Sequence, residues 1–104
     1  MLDVNKPILI INKNLCLNNI EKILEICIYN NIEFRPHFKT HQSLEVGSWF
    51  KKLGIKSITV SSVSMAEYFS DQWDDITIAF PFNILEIDII NDLSKYININ
   101  LLID

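Results

Sequence analysis

Two kinds of hydrophobic pattern alternate along this chain. Short apolar runs typical of strands cover residues 7–11, 57–62, 76–80 and 98–103. Between them, apolar residues recur at helical spacing over about 15–29, 43–53, 64–70 and 83–93. Strands that alternate with helices in this way are typical of βαβ units and a parallel sheet. The pattern therefore predicts an α/β fold.

Polar residues and glycine mark the expected ends of the helices. Asn14 is the expected N-cap of the first helix, and Asn30-Asn31 its stop, because asparagine tolerates the backbone turn that ends a helix. Gly54 stands where a helix commonly ends. Ser64 and Glu67 match a capping box, in which each side chain bonds a free backbone N–H at a helix start.

The segment from residue 32 to 42 carries an unusual concentration of ionisable side chains. Read as a strand, it places alternate residues on opposite faces. A strand in an α/β protein is normally apolar on both faces. A charged face therefore indicates a polar cavity, with Lys39 as its most useful nucleophile. The charged face would hold Glu33, Arg35, His37, Lys39 and His41, and the other Ile32, Phe34, Pro36, Phe38 and Thr40.

Composition excludes several classes of protein. The 104 residues allow one domain at most, and the 49% hydrophobic content is enough for a packed core. The net charge is −4 and Arg35 is the only arginine, which argues against nucleic-acid binding. The longest apolar run, Ile8 to Ile11, is too short to cross a bilayer, and the N-terminus lacks the order of a signal peptide. We expect a cytoplasmic protein with Cys16 and Cys27 as buried, reduced thiols.

The string RPHFKTHQ, residues 35–42, resembles the RPHxKTHK signature of the alanine-racemase-like, fold-type III pyridoxal-phosphate (PLP) enzymes. It is most similar to the group of D-threonine aldolase and eukaryotic-type D-serine dehydratase. KPILIINKNLCLNNIEKI, SITVSSVSMAEYF and DDITIAFPF resemble further family segments in the same order. The chain departs from the family at Gln42, usually lysine, at Asn12 and Asn14, usually aspartates, and at Gln72-Trp73-Asp74, where a glycine is missing.

The resemblance implies an enzyme that acts on a D-amino acid and in which Lys39 forms a Schiff base with PLP. Aldol cleavage, dehydration or racemisation would follow, in a homodimer when the enzyme is full-length. Residues 1–104 would be the N-terminal portion of an alanine-racemase-like domain, about the first half of a (β/α)8 TIM-type barrel, since a whole barrel needs about 250 residues. A compact open sheet, complete as it stands, is the alternative.

The neighbours of Lys39 suit an amine nucleophile, and both are expected cofactor contacts. The positive charge of Arg35, and of His37 when it is protonated, opposes protonation of a nearby lysine. Arg35 is expected to form an ion pair with Glu33 or with an anion, while His37 either bonds near the cofactor or positions Lys39. His37 and His41 would lie about 13 Å apart on a strand, so we expect no shared metal ion.

The sequence is also compatible with other functions. The chain is alternatively an inactive fragment, or a half-barrel module that associates with a second copy through its unpaired sheet edge. A third reading is an aldolase that forms a Schiff base through Lys39 without any cofactor.

Overall fold

The computed structural model describes residues 3–104; Met1 and Leu2, which head the segment considered above for a signal peptide, lie outside it. The helices are α1 (Lys13–Tyr29), α2 (Leu44–Lys52), α3 (Val63–Phe69) and α4 (Ile87–Ser94). The strands are β1 (Ile58–Val60), β2 (Asp75–Pro81) and β3 (Asn98–Leu102). Short 3₁₀ turns occupy Phe38–Thr40 and Ile84–Glu86. Helices and strands alternate, which confirms the α/β prediction.

The strands form one parallel sheet in the order β1-β2-β3. Ile76 of β2 is the partner of Ile58 in β1 and of Ile99 in β3, so these side chains lie on the same face. The register shifts between Ile78 and Pro81, near the carboxyl end of β2. This parallel arrangement brings the carboxyl ends of the strands to one edge of the sheet.

The two faces of the sheet differ in chemistry. One, which we call the helix face, packs against α3 and α4 and forms the core. The other, which we call the open face, carries the alternate residues, because successive side chains of a strand point to opposite sides. The helix face comprises Ile58, Val60, Ile76 and Ile78, all buried; the open face comprises Thr59, Asp75, Thr77 and Asn100, none buried.

Helix α1 begins earlier than the sequence pattern indicates. Its N-cap is Asn12, whose Oδ1 accepts from the backbone N–H of Leu15 at 3.0 Å. The prediction of Asn14 as the cap is therefore wrong, and Asn14 lies within the first turn of the helix. The predicted stop is confirmed: Asn30 is the C-cap, and Asn31 has a φ of 55°.

The predicted end of α2 is confirmed, whereas the predicted start of α3 is wrong. Ser43 caps α2, and Gly54 follows its end with a φ of 92°, so the predicted glycine stop is confirmed. Helix α3 is capped by Ser62, whose hydroxyl accepts from the backbone N–H of Met65 at 3.1 Å. The capping box assigned to Ser64 and Glu67 is wrong, because the helix already begins at Val63.

Residues 7–11 do not form the predicted strand. Their side chains are exposed, Leu9 at 81%, and no neighbouring strand offers them backbone partners within the described range. An apolar run becomes a strand only when another strand pairs with it, which local sequence cannot guarantee. Cys16 and Cys27 are free thiols as expected, but both are half-buried rather than fully buried. No helix among residues 3–104 is long and apolar enough to cross a membrane.

Candidate functional site at the carboxyl edge

The segment ahead of Lys39 runs beside β1 but pairs with it at one point. His37 forms an isolated parallel bridge with Thr59, and the N–H of Thr59 donates to the carbonyl oxygen of Pro36 at 2.8 Å. Proline has no N–H, so Pro36 cannot donate to β1 in return. The prediction of a strand that continues through residue 41 is wrong, because the chain turns into a 3₁₀ helix at Phe38.

Arg35 extends across the open face to β2. Its Nη1 donates to Asp75 Oδ1 at 2.9 Å and to the carbonyl oxygen of Ile58 at 3.2 Å. The expected ion pair therefore exists, but its partner is Asp75 rather than Glu33. The Glu33 carboxylate instead accepts from the hydroxyl of Ser57 at 3.0 Å.

A third strand joins this arrangement. The side-chain amide of Asn100 donates to Asp75 Oδ1 at 3.1 Å and to Thr77 Oγ1 at 3.3 Å. We call these hydrogen-bonded side chains the polar ladder. It comprises Arg35, Asp75, Thr77 and Asn100, and it links the segment ahead of Lys39 to β1, β2 and β3.

Lys39 lies at the carboxyl edge of the sheet, two residues beyond the bridge between His37 and Thr59. Its side chain is exposed, and no ion pair of the described residues involves it. The preceding residue, Phe38, is fully buried and contacts the rings of Phe50, Phe69 and Trp73. The turn is thus fixed by its buried phenylalanine while the lysine amine remains accessible.

His37 stabilises the same turn. Its Nδ1 accepts from the backbone N–H of Lys39 at 3.2 Å, which requires that this nitrogen carry no proton. Burial, and secondarily the positive charge of Lys39, lower the pKa of His37 below its ordinary value. His37 is therefore a neutral imidazole beside the amine at neutral pH, and it bonds to the backbone of the residue that it was expected to position.

His41 lies on the core side, and its predicted place on the face of Lys39 is wrong. The ring centroid of His41 is 4.5 Å from that of Phe38, and Phe50 stacks on it at 5.7 Å. Its Nδ1 accepts from the N–H of Ser43 at 3.1 Å, while its buried Nε2 has no partner among the described residues. Burial lowers the pKa of His41.

Metal ligands were not expected from His37 and His41, but the strand geometry behind that argument does not hold, because residues 38–40 form a turn. Within residues 3–104, no three histidine, cysteine, aspartate or glutamate side chains are grouped as a metal site would require.

Sequence reasoning missed three members of the polar ladder: Asp75, Thr77 and Asn100. Asp75 lies just outside the predicted strand at 76–80, and Thr77 and Asn100 lie inside predicted strands without a further role. A signal was present, because polar and apolar residues alternate in both Asp75–Ile78 and Asn98–Leu101. Strict alternation in a parallel strand indicates that one face is not packed against helices.

A cavity of about 230 Å³ opens near the same edge, between the ends of β1 and β2 and the start of α4. Its walls are mostly apolar, with polar groups from Ser61, Asn83 and Glu86. Lys39 does not line this cavity.

Comparison with known proteins places these features in context. No protein-family model matches the chain. A D-serine dehydratase from Dictyostelium discoideum is 31% identical over an aligned length of 84, and the match covers 76% of this chain and 21% of that protein. The resemblance to this group of fold-type III enzymes is confirmed. The chain thus spans about a fifth of the length of the curated relative that it matches.

Solved structures show the same fold. D-threo-3-hydroxyaspartate dehydratase from Delftia sp. HT23 superimposes with a TM-score of 0.89 at 24% identity, over 98% of this chain and 27% of that protein. A histidine-to-alanine mutant of D-threo-3-hydroxyaspartate dehydratase gives a TM-score of 0.90 at the same identity and coverage. The backbone of residues 3–104 therefore follows the fold of part of a larger dehydratase.

Proposed function

We propose that this chain is the N-terminal part of a PLP-dependent enzyme that acts on D-amino acids, with Lys39 as the residue that binds the cofactor. The accessible Lys39 amine at the carboxyl edge, inside the segment that resembles the family signature, is the observation that carries the proposal. Dehydration is the favoured reaction, because the curated relative is named a D-serine dehydratase. Aldol cleavage and racemisation are the less favoured branches.

The residues present suit an aldehyde cofactor. A primary amine must be accessible to react with an aldehyde, and Lys39 is exposed and free of ion pairs within the described residues. PLP, when bound, supplies the electron sink for bonds broken at the substrate Cα. His37 keeps the Lys39 backbone in place through Nδ1, and Arg35 connects the same segment to the sheet.

The barrel is part of the same proposal. We infer that β1, β2, β3 and the segment ahead of Lys39 are about the first half of a (β/α)8 barrel, with the open face toward its interior. In barrel enzymes, functional side chains come from the carboxyl ends of the strands, which agrees with the place of Lys39. The assignment of residues 1–104 to a single alanine-racemase-like domain, the cytoplasmic location and the homodimer remain predictions.

Covalent labelling tests the role of Lys39. The chain is incubated with PLP, reduced with borohydride and digested, and the labelled lysines are mapped by mass spectrometry. We expect Lys39 to be labelled in preference to the exposed Lys52 and Lys56, because Lys39 lies at the carboxyl edge of the sheet, whereas Lys52 ends α2 and Lys56 lies in the loop that leads into β1.

The matched control is Lys39→Arg, which keeps the positive charge but cannot form the reducible bond. Label that moves evenly onto the other lysines in this variant would agree with the proposal. Equal labelling of all exposed lysines in the unmodified chain would contradict it. Trapping of Lys39 by a small carbonyl compound, with no preference for PLP, would favour an aldolase that uses no cofactor.

A further inference from the structure

The segment that presents Lys39 has little backbone pairing to hold it in register with the sheet. Its one bridge joins His37 to Thr59, and Pro36 offers an acceptor but no donor. A strand whose backbone is poorly paired is free to slide or lift unless side chains fix it. The hydrogen bonds of Arg35 are therefore the side-chain contacts that can hold this segment in register.

We propose that the polar ladder positions Lys39, with Asp75 and Asn100 as positioning residues that act through Arg35. The inference rests on the proposed function of Lys39 and adds Asp75 and Asn100, for which no sequence pattern predicted a role. Arg35 Nη1 reaches β1 through the carbonyl of Ile58 and β2 through Asp75. Two directed bonds from one guanidinium fix both the height and the distance of the segment relative to the sheet.

Asn100 extends the hold to β3. Its amide donates to the Asp75 oxygen that accepts from Arg35, and also to Thr77. Oδ1 of Asp75 therefore accepts from both Asn100 and Arg35, and the carboxylate is held by two donors from different strands or segments. A carboxylate held in this way has little rotational freedom left to lose when it binds the guanidinium.

Two fixed points precede Lys39 in the chain. Arg35 anchors the chain on the open face, four residues before Lys39. Phe38, the residue directly before Lys39, anchors the chain in the core. The backbone N–H of Lys39 is bonded to His37, which lies between these anchors. When Arg35 is released, Phe38 stays buried but the residues before Phe38 become free to move. We therefore expect the turn at residues 38–40 to change its orientation relative to the sheet more than its distance from the core.

Partial exposure of the ion pair separates this role from a general contribution to stability. The Arg35 and Asp75 side chains are 28% and 31% exposed. Ion pairs with this much contact with water add little to the free energy of unfolding. Loss of the pair should therefore disturb the segment locally while the core remains folded.

Amide hydrogen exchange measures that local effect without any cofactor. In Asp75→Asn, we expect protection of the Thr59 amide, which bonds Pro36, to fall roughly tenfold relative to the Ile78 amide in the core sheet. The matched control is Asp92→Asn, which removes the carboxylate of the exposed Lys95–Asp92 pair and should leave the ratio unchanged. Equal loss at Thr59 and Ile78, or no loss at either, would overturn the inference.

Labelling with PLP and borohydride measures the consequence for Lys39. At a PLP concentration that labels part of the unmodified chain, Asp75→Asn and Arg35→Gln should each lower the fraction of Lys39 that carries label several-fold, and the double variant should lose little more than either. Asp92→Asn should label normally. Independent, multiplying losses in the double variant would mean that the two residues do not act as a unit.

The two measurements distinguish failure of this inference from failure of the proposed function. If Lys39 of the unmodified chain is not labelled selectively, the proposed function and the positioning role fall together. If Lys39 is labelled selectively and Asp75→Asn labels equally well, the proposed function stands and the positioning role alone is rejected.

Discussion

The two faces of the sheet are formed by adjacent residues of the same strands, but they contribute to the structure in different ways. On the helix face, Ile76 is fully buried among apolar side chains from the same chain. On the open face, its neighbour Thr77 is half-buried and accepts a hydrogen bond from Asn100. The helix face stabilises the fold through burial, whereas the open face fixes relative positions through directed bonds that contribute less to stability.

Truncation on the helix face should give the largest effect. Ile76→Ala should lower the free energy of unfolding by about 2–5 kcal/mol, because it removes buried methylenes and leaves a cavity in the centre of the sheet. Urea denaturation followed by the fluorescence of Trp49 and Trp73, both buried, measures this change. The same truncation at Ile103, which is 76% exposed, should change stability by less than about 0.5 kcal/mol.

Overpacking behind the Lys39 turn should come next. A Cβ at Gly47 would lie 2.9 Å from Cε2 of Phe38, whose ring is enclosed by other aromatic rings. We expect Gly47→Ala to destabilise the protein by about 1–3 kcal/mol from overpacking, which exceeds the gain of up to about 1 kcal/mol in helix propensity. Ser48→Ala, one residue further in α2, is the control and should be near neutral; a more stable Gly47→Ala would contradict this packing.

A smaller effect should appear as pH dependence on the core side of the same turn. The pKa of His41 is lowered in the folded state from 6.5, so the unfolded chain takes up a proton first as the pH falls. The free energy of unfolding should therefore decrease as the pH falls from about 7 to about 5.5, below the unfolded pKa. Chemical denaturation at each pH measures it.

His41→Phe keeps an aromatic ring in the cluster and should flatten this dependence, although it should lower stability at neutral pH because the Ser43 N–H loses its acceptor. The pKa of the less enclosed His37 is also lowered, so His37→Gln should flatten it less. An unchanged pH dependence in His41→Phe would show that other groups cause it.

Substitution on the open face should have the smallest effect. Thr77→Val keeps the shape of the side chain and removes the acceptor for Asn100, so the free energy of unfolding should change by less than about 0.5 kcal/mol. The converse change next to it, Ile76→Thr, buries a hydroxyl without a partner and should cost at least about 1–3 kcal/mol. Similar losses in both variants would remove the distinction between the faces.

Sequence patterns predicted most of the elements that later pack on one another. The three paired strands and all four helices lie close to the expected ranges, because their apolar residues recur with the right period and are buried together. The N-cap residues were harder to choose. Asn12 and Asn14, like Ser62 and Ser64, are two residues apart and chemically alike, so the start of the helix decided which one caps it.

The sequence also marked Lys39 as the candidate lysine, but it did not show the geometry around that residue. The charged alternation predicted one polar face for residues 33–41; Arg35 lies on the open face, but His41 does not. The run RPHFKTHQ marked the segment. The turn at Phe38 was missed, and with it the burial of His41, because alternation alone cannot show where a chain leaves the sheet.

The sequence by itself determined the α/β order and marked the candidate lysine, since both follow from local residue types and their spacing. Only the tertiary structure decided that Arg35 pairs with Asp75, that Asn100 orients this carboxylate and that residues 7–11 lack a partner strand. The physical reason is distance along the chain. Arg35 and Asp75 are 40 residues apart, and their contact exists only once the register of β1 and β2 has brought them together.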